Sequence, residues 1–186
     1  MNMVARVIQD PSEGYRTFGT PRLPNGQELP IGVFTDAKKQ EFEQILIPTL
    51  NEGKIGVASM ILDAIPLFDE YGALLIREHF SDSFQLISCK TDDGQSLWLG
   101  NSLFMIDCID RAKSKAEYYP TNYPINHLSD CVKTAFTLSL KKHAVADVSV
   151  FRAIGDPLKL VATNNFLNLF EGKGLTRGVS PRYVIT

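Results

Sequence analysis

The sequence predicts an α+β fold: a mainly antiparallel sheet with two N-terminal helices and one C-terminal helix packed on it. Three observations lead there. Apolar residues recur at helical spacing early in the chain and again over residues 164–172. From residue 84 the period shortens to two, through "FQLISCK", "LWLGNSLFMIDCI" and "AFTLSL". The two kinds of segment do not alternate in the βαβ order that a parallel sheet requires. With 186 residues, 44% of them apolar and 22% charged, the chain suits a single domain, residues 1–186, with a core of its own.

Residues 3–8 read as a short strand. Pro11, Pro21, Pro24 and Pro30, interleaved with Gly14, Gly19, Gly26 and Gly32, then make residues 1–33 an irregular N-terminal segment laid over the core. "TDAKKQEFEQILIPTLNEG" predicts the first helix. Thr35 caps it, Asp36 faces its positive end, Phe42, Ile45, Leu46 and Leu50 form its stripe, and Pro48 stops it near Ile47. "VASMILDAIPLFDEYG" predicts the second, with Ser59 as cap, Ile61, Leu62, Ile65 and Leu67 or Phe68 buried, and Gly72 as stop.

"TDDGQS" holds an Asp-Gly pair between two strand-like runs and predicts a hairpin. In "AFTLSL", Phe136, Leu138 and Leu140 share one face. "VSVFRAIG" and "LKLVAT" predict two strands joined across "DP". Thr163 caps a helix that buries Phe166, Leu169 and Phe170 and closes at Gly172 and Gly174. Pro181 makes "VSPRYVIT" an edge or terminal strand, and residues 115–130 read as a surface excursion.

The formal charge is −2, from 19 basic and 21 acidic residues, so no global field favours nucleic acid. The basic runs at 111–115 and 141–143 read as solvated faces. Cys89, Cys108 and Cys131 are odd in number and lack C-x-x-C spacing, which argues against a disulfide framework or zinc site and for a reducing compartment. No window approaches the ~18 apolar residues of a membrane span, and the N-terminus lacks the apolar run of a signal peptide. The expected location is the cytoplasm, with no membrane partner.

Chemistry is sought in "NSLFMIDCIDRAKS", where Asp107, Cys108 and Asp110 interrupt an apolar run. Apolar neighbours and two carboxylates oppose thiolate formation, so Cys108 reads as a core thiol. On a strand, residues 107 and 110 point to opposite faces and cannot converge on one metal unless the strand ends or bulges between them. The structural reading ends the strand near Ile109, with Asp110 opening a turn through backbone N–H bonds and Ser114 ordering its exit. His79, His127 and His143 lie in polar contexts and read as solvated imidazoles. Neither a phosphate-binding glycine loop nor a G-x-S-x-G elbow occurs. No catalytic residue, cofactor or metal is expected.

The order of "LWLGNSLFMIDCIDRAKS", "VFRAIGDPLKLVAT" and "NNFLNLFEGKGLTRGVSPRYVI" resembles a family of bacterial polymorphic-toxin immunity proteins, the eleventh numbered immunity class, formerly a domain of unknown function. The resemblance covers residues 95–186. It runs through Asn101, Asp107, Cys108, Asp110 and Ser114, then Val150, Phe151 and Arg152, then Leu160, Val161 and Thr163, and last Gly174, Leu175 and Thr176. It departs at Arg177, where the family has Gly.

The resemblance implies a non-catalytic protein that binds and neutralises a cognate toxin encoded by a neighbouring gene. A cytoplasmic inhibitor points to a nuclease, deaminase or nucleotide-consuming toxin. Acidic side chains would complement a basic toxin cleft, and aromatic ones would anchor the contact. The residues expected in contact are Asp69, Glu70 and Glu78, Asp92 and Asp93 at the hairpin tip, and Tyr118, Tyr119 and Tyr123. The alternatives are a toxin-specific secretion adaptor and a small enzyme using Asp107 or Asp110 with His79.

Overall fold

A computed structural model describes residues 4–8, 14–62, 64–170, 178–180 and 183–185. In chain order these form β1 (Val4–Ile8), β2 (Leu46–Ile47), β3 (Ala58–Ile61), β4 (Ile65–Phe68), α1 (Glu70–His79), β5 (Phe84–Thr91), β6 (Ser96–Ser102) and β7 (Met105–Ile106). There follow β8 (Lys115–Tyr118), β9 (Val132–Leu140), β10 (Val150–Ala153), β11 (Asp156–Thr163), α2 (Asn164–Leu169), β12 (Gly178–Ser180) and β13 (Tyr183–Ile185). Three sheets result, in the orders β2-β5-β6-β4-β3, β12-β1-β11-β10-β7 and β13-β9-β8.

This architecture corrects the predicted one. The described chain is mostly sheet, and its two α-helices, of ten and six residues, are not two at the N-terminus and one at the C-terminus. The sheets are mixed, because each includes one parallel pairing: β2 with β5, β7 with β10, and β13 with β9.

The first expected helix, within 35–50, does not form. Ile45 and Ile47 are buried while Leu46 between them is not, a two-residue period, and Leu46 pairs in parallel with Lys90 and exchanges backbone hydrogen bonds with Arg22. Leu50, assigned to the buried stripe, is exposed. The second expected helix is instead the β3–β4 hairpin, whose eight strand residues are all buried. A strand covered on both faces reads as a continuous apolar run, which periodicity cannot separate from a buried helix. The turn between them leaves Leu62 exposed at a φ of 49°.

The helix starts later. Asp69 accepts a hydrogen bond from the Gly72 N–H at 2.7 Å and caps α1, so Gly72 lies inside the helix it was expected to end. The β5–β6 hairpin forms as predicted, with Gly94 at a φ of 88° in its turn. The β10–β11 turn falls at Ile154 and Gly155, and Asp156 and Pro157 already belong to β11. The predicted C-terminal helix is present as α2, burying Phe166 with Phe170 just beyond it. Pro11, Gly172, residues 174–177 and Pro181 lie outside the described residues.

One misreading has a clear local cause. Leu138 and Leu140 are buried, but Phe136, expected on their face, is 78% exposed. Lys115 pairs with Thr137 and Ala116 with Ala135, so Phe136 is the extra residue of a β-bulge that turns its ring to the outside.

Three apolar clusters unite the sheets. Phe68, Phe84, Phe166 and Phe170, with Ile76 of α1 and Val150, Leu160 and Ala162, join the first sheet to the second, with ring centroids 5.3–6.1 Å apart. Phe18, Leu29, Phe34, Ile45 and Ile47 cover Ile61, Ile65, Leu67 and Leu99. Cys108, Leu138, Leu140, Phe151 and Val161 fill the space between the second and third sheets.

Candidate functional site

The 107–114 segment is a staple between sheets. β7 stops at Ile106, Ile109 bridges Leu140, and Cys108 is fully buried, its carbonyl accepting from the Lys141 N–H at 2.8 Å. Burial and, after it, the Asp107 charge push the Cys108 thiol up to about 12, and burial does the same to Cys89. The Asp110 N–H donates to the Ser139 carbonyl at 2.8 Å, and the Asp110 carbonyl accepts from the N–H of Ser114 at 3.0 Å and its Oγ at 2.7 Å. Ser114 Oγ accepts in turn from the Ser139 N–H at 3.0 Å.

The two carboxylates serve separate partners. Asp107, 72% exposed, lies 3.5 Å from Lys141, and Asp110 lies 3.8 Å from Lys113 and accepts from its N–H. The imidazole lining the hollow beside Asp110 belongs to His143, together with Lys113, Lys141 and Lys142, so the two short basic runs meet there. His79 stands on the last turn of α1 beside Glu78 and Phe80.

Several acids expected to contact a partner hold the framework. Asp69 is the α1 cap, with its carboxyl raised by burial against the opposing backbone hydrogen bonds. Asp92 accepts from the Thr49 N–H at 3.3 Å. Asp93 accepts from Thr91 and pairs with Arg16 at 2.6 Å, tying the hairpin to the N-terminal segment. Both carboxyls are held below the ordinary range, Asp92 by Thr49 and Asp93 by Thr91 and then Arg16. Tyr118 lies under the Arg111 guanidinium at 4.4 Å, and Tyr119 and Tyr123 face each other at 4.5 Å.

Glu70 and Glu78 do reach the outer face of α1, near exposed Tyr71 and Leu74. Glu70 accepts from Trp98 Nε1 at 2.7 Å and from Arg77 at 3.3 Å, which hold its carboxyl below the usual range. The Arg77 guanidinium stacks on Trp98 at 4.3 Å, so the three side chains are joined to one another.

Two features escaped the sequence. Arg152 is the largest fully buried side chain, donating to the Pro157 carbonyl at 3.0 Å and the Ala64 carbonyl at 2.6 Å. Burial pulls it down to about 10, with Asp156 opposing, so it remains a cation at neutral pH. Its sequence signals were its position in a strand of apolar neighbours and its place among the residues that carry the family resemblance.

The second is a groove of about 790 Å³ between the 30–36 segment and the β10–β11 turn, with Met105, Leu128, Cys131 and Val132 completing its wall. Phe34 turns inward from a single 3₁₀ turn, Ile31–Phe34, leaving Ile31 and Val33 on the groove. Gly155, at a φ of 93°, supplies the opposite rim, where Ile154 is 51% and Leu158 39% exposed. Asp36 and Asp156 are the only charged side chains among the described residues lining it. An aliphatic residue inside the turn "AIGDPL" was its sequence signal.

Among the described residues no group of three or more His, Cys, Asp or Glu is placed to hold a metal ion, and no helix is long and apolar enough to cross a membrane. No protein-family model matches the chain, and no curated protein matches it significantly.

Proposed function

We propose that this chain is an immunity protein: it acts in the cytoplasm by binding and neutralising a cognate bacterial toxin encoded by a neighbouring gene. The toxin class that fits is a nuclease, deaminase or nucleotide-consuming enzyme. The observation that carries this reading is the groove between the 30–36 segment and the β10–β11 turn, whose aliphatic rims stay in water. Exposed apolar side chains around a concavity are what a protein partner covers. The acid–thiol motif that most invites a catalytic reading is occupied in backbone hydrogen bonds and lysine pairs, which agrees with a role in shaping the chain.

The test is co-expression in a sensitive host of this chain with the product of the adjacent toxin-like gene. Survival, together with a complex recovered at equal stoichiometry, is the expected result. Death of the host with a recovered complex identifies a carrier that does not inhibit, and turnover of a small compound by the purified chain, lost on Asp107→Asn/Asp110→Asn, identifies an enzyme.

A further inference from the structure

We infer that Asn25 is a modification site: in its exposed turn it deamidates without an enzyme, the Gly26 nitrogen closing a ring on the Asn25 side chain that water opens to aspartate or isoaspartate. The inference is independent of the toxin-binding reading.

Of the chain's asparagines, Asn25 alone precedes a glycine. A Cβ on the following residue crowds a nitrogen that must reach the side-chain carbonyl, and glycine has none. The pair forms the tip of a turn. The Leu23 N–H donates to the Gln27 carbonyl at 2.8 Å, the Gly26 N–H donates to the Leu23 carbonyl at 2.9 Å, and Arg22 bridges Glu28. Both residues are exposed, and no atom lies within 4 Å of the point where a Gly26 Cβ would stand.

The side chain is held for this reaction. Asn25 Oδ1 accepts from the Gln27 N–H at 2.9 Å, which folds the amide back along the turn. That oxygen takes up negative charge when the Gly26 nitrogen adds to Cγ, and the Gln27 N–H stabilises it there. The hydrogen bond from Gly26 to Leu23 opposes the attack, but at an exposed tip it breaks by local opening alone.

The bond from the Gly26 nitrogen to Cγ forms as the Gly26 proton passes to a solvent base. The Cγ–Nδ2 bond breaks as Nδ2 takes a proton and leaves as ammonia. Water then adds to either ring carbonyl: cleavage at Cγ leaves aspartate, and cleavage at the main-chain carbonyl leaves isoaspartate, with the chain running through Cβ. Water is consumed, ammonia is released, and no oxidation state changes.

Asp93 and Gly94 form a similar turn, with Gly94 at a φ of 88° and its N–H on the Thr91 carbonyl at 3.0 Å. A carboxyl closes the ring only when protonated, so that oxygen leaves as water. Thr91 and Arg16, the latter at 2.6 Å, keep Asp93 ionised and protect it. At Asn25 no such protection exists, since the leaving group is already an amide. Its conversion also has a structural consequence. Arg22 exchanges backbone hydrogen bonds with Leu46 of β2, the edge of the first sheet, and isoaspartate adds a main-chain atom to the turn that positions Arg22.

The experiment ages the full chain at pH 8 and maps it with trypsin and mass spectrometry. The peptide Leu23–Lys38 should split into two products carrying OH in place of NH2, one of them a substrate for isoaspartate methyltransferase, before any other asparagine converts. The peptide Thr91–Arg111 should hold no isoaspartate, whereas Arg16→Ala aged in mild acid should accumulate it at Asp93. Gly26→Ala should slow conversion of Asn25 about tenfold or more. Hydrogen exchange at Arg22 and Leu46 should be faster in the aged chain than in the fresh one.

An unchanged Asn25, or one that converts no faster than the other asparagines, overturns the inference. Isoaspartate at Asp93 in the unsubstituted chain overturns the distinction between the two turns. Unchanged exchange at Leu46 in the converted chain overturns the loosening of β2.

Discussion

Arg152 concentrates the residue-scale physics of this protein. A guanidinium has five donors, and here two carbonyls, from Ala64 in the β3–β4 turn and Pro157 in β11, receive hydrogen bonds from it in a space closed to water. It therefore ties the first sheet to the second at a point where an aliphatic side chain would satisfy neither carbonyl. Arg152→Ala should cost roughly 3–5 kcal/mol, from the cavity and the two orphaned acceptors, measured as a shift in urea midpoint. Arg152→Lys should recover little of it, because one ammonium lacks the fork that reaches both carbonyls. Phe136 shows the opposite error of sequence reading, an apolar residue put outside by one extra residue in its strand.

At the scale of elements, α1 is set by its entry. Asp69 caps it, and Gly72 packs so close to the Val57 carbonyl that a Cβ there would collide with backbone. Gly72→Ala should destabilise by about 1–3 kcal/mol or more, since the obstructing atom cannot rotate away. The check is thermal unfolding together with near-ultraviolet signal from Trp98, which hydrogen-bonds to the same helix.

The β5–β6 hairpin is expected to contribute to the acid sensitivity. Asp92 and Asp93 have carboxyls depressed in the folded state, so their contribution is complete above the ordinary Asp value of 3.8 and is lost as pH falls through the native values. The urea midpoint should therefore drop as pH descends below about 4, and Asp92→Asn/Asp93→Asn should show a shallower drop. An identical acid profile in that variant would place the sensitivity elsewhere.

For the whole molecule, the decisive fact is that the first sheet is covered twice. The N-terminal segment lies over one face through Phe18, Leu29 and Phe34, and α1 with the second sheet and α2 covers the other. The third sheet adds its own contact through Leu138 and Leu140. The three thiols sample different parts of this arrangement: Cys89 under the N-terminal segment, Cys108 between the second and third sheets, and Cys131 on the groove wall. A thiol reagent at pH 8 should modify Cys131 first in the folded protein and reach Cys89 and Cys108 only when denaturant opens their clusters. Early modification of all three would contradict the described packing.

Local chemistry by itself determined the β5–β6 hairpin, through Asp-Gly between two strand-like runs, and α2, through its Phe166–Phe170 spacing. It also determined that Asp110 and Ser114 build a turn, because each side chain makes a hydrogen bond to backbone within four residues of chain. Residues 35–68 were decided only by tertiary structure: Leu46 is held in its strand by Lys90 and Arg22, distant in sequence, and over Ala58–Ile61 and Ile65–Phe68 burial on both faces erases the two-residue signal. The groove and Arg152 were hidden for the same reason. Each depends on bringing residues from separate elements to one place, and spacing along a single strand or helix carries no record of that meeting.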